Sequence, residues 1–209
     1  MSAVLIARHG ETDWNVNGRY QGRLESELSP LGRAQADALS RAAADYGLQR
    51  IISSPLRRCT DTAQAAGDYF SLPVEMDADL IEIAHGTWEG RYRDEIAQND
   101  PKRYKAWRDA PATVAFENGE RVRDVLDRWV AFIRGLSTEL NTLLVTHDAV
   151  LRVAILERTG QPLASFWEPR VCNGGFAYFE VTGSLWQLKS ECVSTHLGPL
   201  EAGISTQAL

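Results

Sequence analysis

Two histidines each follow a short apolar run, and both are flanked by groups suited to an anion. His9 follows residues 3–7 and lies in Arg8-His9-Gly10, while His147 follows residues 142–145 and lies in Thr146-His147-Asp148. A third run, 50–53, ends just before Ser54-Pro55-Leu56-Arg57-Arg58. Phosphate monoesters resist attack because their own charge repels nucleophiles. A protein that cleaves them must cancel that charge and set a nucleophile in line with the leaving oxygen. Arg8, Arg58 and His147 are the groups to cancel charge, and a neutral His9 imidazole is a competent nucleophile. The leaving alkoxide also needs a proton. Glu82, in a loop after Leu80, is the candidate donor, because a phosphate beside it raises its pKa by like-charge repulsion. Once ionised, the same carboxylate can activate the water that clears the phosphoryl group from the histidine.

These residues meet only if separate elements bring them together. Residues 3–7, 50–53 and 142–146 read as short buried strands, and 73–76 as a further one. Ser29-Pro30 starts a helix with Ser as N-cap and Pro at its first position, and Gly47 stops it. Ser54-Pro55 is expected to open another, running to about residue 70. A weak helical pattern with two prolines over about 91–118 reads as a small helical insertion. The stretch 121–140 is amphipathic, with Val122, Val125, Leu126, Trp129, Phe132, Ile133 and Leu136 at helical spacing. Its arginines at 121–128 are expected on the solvated face. A helix after His147 ends near Gly160, and 175–181 with 185–188 reads as a late strand pair.

Strands alternating with helices imply an α/β fold: a mainly parallel open sheet with helices on both faces. Ligands of such sheets bind beyond the carboxyl ends of the strands, where the three polar segments would meet. The 209 residues fit one domain, 1–209, with the insertion at about 91–118 and a tail from 198.

Composition narrows the partners. The net charge of -6 argues against nucleic acid and anionic membrane surfaces, so an anionic metabolite needs a local positive pocket. No apolar run is long enough to span a bilayer and no leader peptide is recognisable, so a cytoplasmic location is expected. Three cysteines without a CxxC pair suit a reducing compartment and argue against a disulfide framework or a zinc ribbon. Rival phosphate chemistries fail on spacing. Six positions after Cys59, Cys172 and Cys192 stand Ala65, Tyr178 and Gly198, where a cysteine phosphatase needs arginine. No Gly-Lys pair supports a P-loop, and the four histidines lack metal-ligand spacing.

The motifs also resemble a known family. Arg8-His9-Gly10-Glu11-Thr12 with Asn15 and Gln21-Gly22, then Ser54-Pro55-Leu56 with Arg58 and Thr62-Ala63, then Glu82 and Thr146-His147, are similar to the signature blocks of the histidine phosphatase (phosphoglycerate mutase-like) superfamily. The resemblance implies a phosphoglycerate mutase-like sheet, a phosphohistidine intermediate and no metal or cofactor. It also implies phosphate-rim contacts from Asn15, Gln21 and Gly22. Asp148 departs from the pattern, which has glycine there, and an aspartate facing the phosphate would repel it. Glu82-Ile83-Ala84-His85-Gly86-Thr87-Trp88, Phe166-Trp167 and Thr195-His196-Leu197-Gly198 resemble the metal-independent phosphoserine phosphatases of this superfamily. There His85 and His196 are implied to contact the serine portion, which requires the tail to fold back over the pocket. The expected activity is hydrolysis of small phosphomonoesters, L-phosphoserine first. A phosphoglycerate mutase, another small-molecule phosphatase and a non-catalytic phospholigand-binding protein are the alternatives. The resemblance and the Phe166-Trp167 pair hint at a homodimer.

Overall fold

The computed structural model describes residues 1–202 and 207–208. Six strands form one sheet: β1 (Ser2–Arg8), β2 (Arg50–Ser53), β3 (Val74–Met76), β4 (Thr142–Thr146), β5 (Phe176–Thr182) and β6 (Leu185–Val193). Their order is β3-β2-β4-β1-β5-β6. Strands β3, β2, β4 and β1 run parallel, and β5 and β6 add an antiparallel edge. The mainly parallel α/β sheet expected from the sequence is therefore present.

Strand periodicity divides two cores. Val4, Ile6 and Leu144 enter one, with Val122, Val125, Trp129 and Phe132 of helix α6 (Val122–Gly135) and most of helix α7 (Asp148–Thr159). Leu5, Ala7, Leu143 and Val145 enter the other, against Leu39 of helix α2 (Pro30–Ala42) and Cys59, Ala63 and Ala66 of helix α3 (Arg57–Phe70). Each large side chain so buried contributes roughly 1.5–3 kcal/mol. The stretch 91–118 contains helix α4 (Arg93–Asn99), helix α5 (Pro101–Asp109) and a 3-10 turn at Pro111–Thr113. A single-turn helix α1 (Asp13–Val16) follows the first histidine motif.

Some boundaries differ from the sequence reading. Helix α3 begins at Arg57, two residues late, because Leu56 stays extended and Ser54 is engaged elsewhere. Helix α6 stops at Gly135, since Leu136 is extended, and so it ends before 140. Strand β6 runs on to Val193 rather than ending at 188. Arg128 is not on a solvated face. It reaches the Asp79 carbonyl at 2.6 Å and pairs with Glu120, its side chain 13% exposed. No helix among the described residues is long and apolar enough to cross a membrane.

Candidate active site

Strands β1 and β4 are adjacent and parallel, with Arg8 opposite Thr146. The next residue of each is therefore a histidine at the same sheet edge. The His9 amide donates to the Thr146 carbonyl at 3.0 Å, and the two rings lie 5.2 Å apart edge to face. Strand β2 pairs with the other side of β4, which brings Ser54 and Arg58 to the same edge.

The His9 ring is fixed by its own loop. Nδ1 lies 2.7 Å from the Gly10 carbonyl, which can only accept, so Nδ1 carries the proton and Nε2 keeps its lone pair. Burial, then Arg58 and Arg8, hold the His9 pKa well below its ordinary value, so the ring is neutral. The loop is held by close backbone packing. A Cβ on Gly10 would come within 2.3 Å of the Gly32 carbonyl oxygen, and one on Gly32 within 1.9 Å of the Glu11 carbonyl oxygen. Thr62 Oγ1 accepts from the Gly10 amide at 3.1 Å.

The cations are buried. Arg58 donates to His147 Nδ1 at 3.2 Å and to the Gly22 and Leu24 carbonyls at 2.7 and 2.9 Å. With Nδ1 accepting, His147 carries its proton on Nε2, which donates to Ser54 Oγ at 2.7 Å. Burial and Arg58 keep this ring neutral too. Arg8 is 1% exposed, and its Nε has no hydrogen-bond partner. A buried guanidinium nitrogen without a partner is costly, and an anion in the cavity would satisfy it.

Asp148 does not face the cavity as an isolated charge. Its Oδ2 lies 3.3 Å from Arg8 Nη1 and its Oδ1 2.5 Å from Arg152 Nε, one helical turn along α7. Burial alone would raise its pKa, but Arg152 and Arg8 hold it below the usual carboxylate value. Arg152 in turn donates to the Pro169 carbonyl at 2.6 Å and sits 5.0 Å from the Trp167 ring centre.

Glu82 lines the same cavity as Arg8, His9, Arg58 and Asp148. Burial, then the Asp148 charge, push its pKa up to about 7. Its loop is pinned from below, since Glu120 accepts from the Ala84 amide and Glu89 from the His85 amide, both at 2.9 Å. His85 also lines the cavity, among the rings of Tyr20, Trp107 and Phe116. Both of its ring nitrogens lack hydrogen-bond partners, and burial lowers its pKa to about 3, so it is neutral.

Asn15, Gln21 and Gly22 line the cavity as expected. Thr12 Oγ1 donates to the side-chain oxygens of Asn15 and Gln21, each at 3.0 Å. His196 does not join them. Its Nε2 meets the Gly174 carbonyl at 2.9 Å and its ring packs on Phe176, outside the residues that line the cavity. The reason is strand β6, which runs to Val193 and leaves only a short turn to place His196. The tail does reach the cavity, but through another residue. Gln207 Oε1 accepts from Arg8 Nη2 at 2.7 Å, and Gln207 Nε2 donates to Asn173 Oδ1 at 2.8 Å.

Asn173, which donates to the His9 carbonyl at 3.1 Å, was not read from the sequence, and Trp107, Phe166 and Trp167, expected to serve core or interface packing, form an aromatic wall of the cavity. Asn173-Gly174-Gly175 before a late strand was the available signal for the first. The wall joins the insertion to a distant loop, which no local pattern announces. Phe166 is fully buried within its own chain and Trp167 is partly buried beside it.

Known proteins resemble this chain in sequence and fold. Bacillus stearothermophilus YhfR superposes with a TM-score of 0.89 at 32% identity, covering 94% of this chain and all of that one. Glucosyl-3-phosphoglycerate phosphatase of Mycolicibacterium vanbaalenii is 40% identical over 86% of this chain and 84% of its own length. Phosphoserine phosphatase 1 of Hydrogenobacter thermophilus is 29% identical over 95% of both chains. The family model for the histidine phosphatase superfamily (branch 1) matches residues 4–193, from β1 to the last residue of β6. A match that takes in both strand-end histidines and the whole sheet leaves one conclusion: the chain belongs to the histidine phosphatase superfamily.

Proposed function

We propose that the chain is a metal-independent phosphatase of small phosphomonoesters that carries the phosphoryl group on His9. The observation that supports this most directly is the His9 ring itself: neutral, oriented by the Gly10 carbonyl, with its Nε2 lone pair beside two buried arginines. The substrate phosphate takes the partnerless positions of Arg8 and the charge of Arg58, with His147, Asn15 and Gln21 completing the rim. His9 Nε2 attacks phosphorus in line with the leaving oxygen. Glu82, half protonated near neutral pH, gives that oxygen its proton. The resulting carboxylate then takes a proton from water, which attacks phosphorus and frees His9. Charge cancellation by fixed guanidinium groups leaves no step that calls for a metal ion.

L-phosphoserine is the leading substrate. Support comes from His85, which lines the cavity with both ring nitrogens unpartnered, and from the full-length likeness to a phosphoserine phosphatase. His196, the other histidine tied to this substrate, stands outside the cavity lining and adds no support. A bulkier leaving group is the second reading. The wall of Trp107, Phe166 and Trp167 favours it by offering apolar surface for a ring, and a glucosyl-3-phosphoglycerate phosphatase is a 40% identical relative. An odd number of cysteines without a CxxC pair supports a cytoplasmic site of action.

The test is phosphate release from phosphoserine, phosphothreonine, 3-phosphoglycerate and glucosyl-3-phosphoglycerate, compared by kcat/KM in excess chelator. His9→Ala is expected to lose all turnover. Wild-type rates in that variant, or loss of activity with chelator, would overturn the mechanism. A phosphoserine kcat/KM no higher than that of the other esters would overturn the substrate alone.

A further inference from the structure

The three cysteines are far apart in sequence, yet the fold brings two of them into contact. Cys172 lies in the loop 171–175 before β5, and Cys192 lies on the edge strand β6. Their sulfur atoms are 3.5 Å apart across a separation of 20 residues. A disulfide bond is ~2.05 Å long, so a shift of roughly 1.5 Å joins them. Space is made for this contact. A Cβ on Gly175 would come within 2.4 Å of Cys172 Sγ, and Ala38, Leu197 and Leu200 pack around the pair.

We infer that Cys172 and Cys192 form a redox-modification site, closed by exchange with a low-molecular-weight disulfide. The two thiols have different roles. Cys192 is half-buried on the sheet edge, shares a thiol hydrogen bond with Cys172 and stands near the Arg170 guanidinium, so it is the more acidic and the more accessible. Cys172 is buried, and its hydrogen bond to Cys192, with burial, pushes its pKa up. The Cys192 thiolate attacks one sulfur of the small disulfide, forming a mixed disulfide and releasing one small thiolate. Cys172 then attacks the Cys192 sulfur. Its proton passes to the second small thiolate as that leaves. Two protein thiols are oxidised and one small disulfide is reduced to two thiols.

Cys59 stands apart. It is fully buried beside His147, donates to the Thr146 carbonyl at 3.3 Å, and burial pushes its pKa up, so it is a poor nucleophile. The location gives the pair weight. The next residue, Asn173, holds the His9 carbonyl, and the Gly174 amide donates to the Arg8 carbonyl at 3.1 Å.

The test incubates the reduced, purified chain with oxidised glutathione, then alkylates free thiols under denaturing conditions and maps them by mass spectrometry. The expected product is two hydrogens lighter, links the peptides of Cys172 and Cys192, keeps Cys59 free and reverts with dithiothreitol. Cys172→Ser is expected to stop at a glutathione adduct on Cys192, and Cys192→Ser to take up none at position 172. Three free thiols after conditions that fully oxidise a model dithiol would overturn the inference, as would a link through Cys59.

Discussion

At the residue scale the site rests on which groups are neutral. His9 and His147 are kept uncharged by burial and by Arg58, and Glu82 is raised to about 7 by burial and by Asp148. Glu82→Gln is expected to separate the two half-reactions. An aryl phosphate, whose leaving group needs no proton, should still phosphorylate His9, but the water step loses its base. Stopped-flow then shows a burst of phenolate followed by turnover slower by about 10²–10⁴-fold. A linear time course without a burst would remove Glu82 from the second step. Asp148 tunes the same acid. Removing its charge favours ionised Glu82, so Asp148→Asn is expected to move the alkaline limb of the kcat/KM profile for an alkyl phosphate to lower pH. An unmoved limb would show that Asp148 matters to Arg8 alone. The main site residues were legible because they sit in contiguous motifs at strand ends. Asn173 and Gln207 were not, because each acts through a contact more than 150 positions away.

At the element scale, the strand ends position the chemistry and one close approach holds them. The start of α2 touches the loop after His9 backbone to backbone, with no room for a side chain on Gly32. Gly32→Ala is expected to lower stability by ~1–3 kcal/mol and to reduce kcat, read by urea unfolding and phosphate release. Gly135→Ala, in the last turn of α6 where an added Cβ meets open space, is the control and should leave kcat unchanged and stability unchanged or raised by up to ~1 kcal/mol. The sequence reading found every strand and long helix, because β1 and β4 are continuous apolar runs and α2 carries a Ser-Pro start. It misjudged ends where tertiary contacts decide them. Ser54 is drawn to His147 rather than to a helix cap, and β6 extends because β5 pairs with it to Val193.

At the scale of the whole molecule, burying neutral histidines ties stability to pH. The pKa values of His9, His85 and His147 are lowered from 6.5, so the unfolded chain binds their protons first as pH falls. Glu82, raised from 4.5 to about 7, works in the opposite direction, since the folded chain holds its proton longer. Between about pH 4.5 and 6.5 the three histidines outweigh the one carboxyl. Stability should then fall with decreasing pH. Urea midpoints at pH 6.5 and 5.5 check the sign, and His85→Phe should flatten the slope by about one proton. The Gln207 contact has a different energetic scale. It joins Arg8 across 199 positions through a few hydrogen bonds worth about 0.5–1.5 kcal/mol each, with Ala208 beside it packed at the edge of the first core. This anchor can release while the sheet stays intact, so the Gln207 amide should exchange by local opening, while β1 and β4 exchange only through global unfolding.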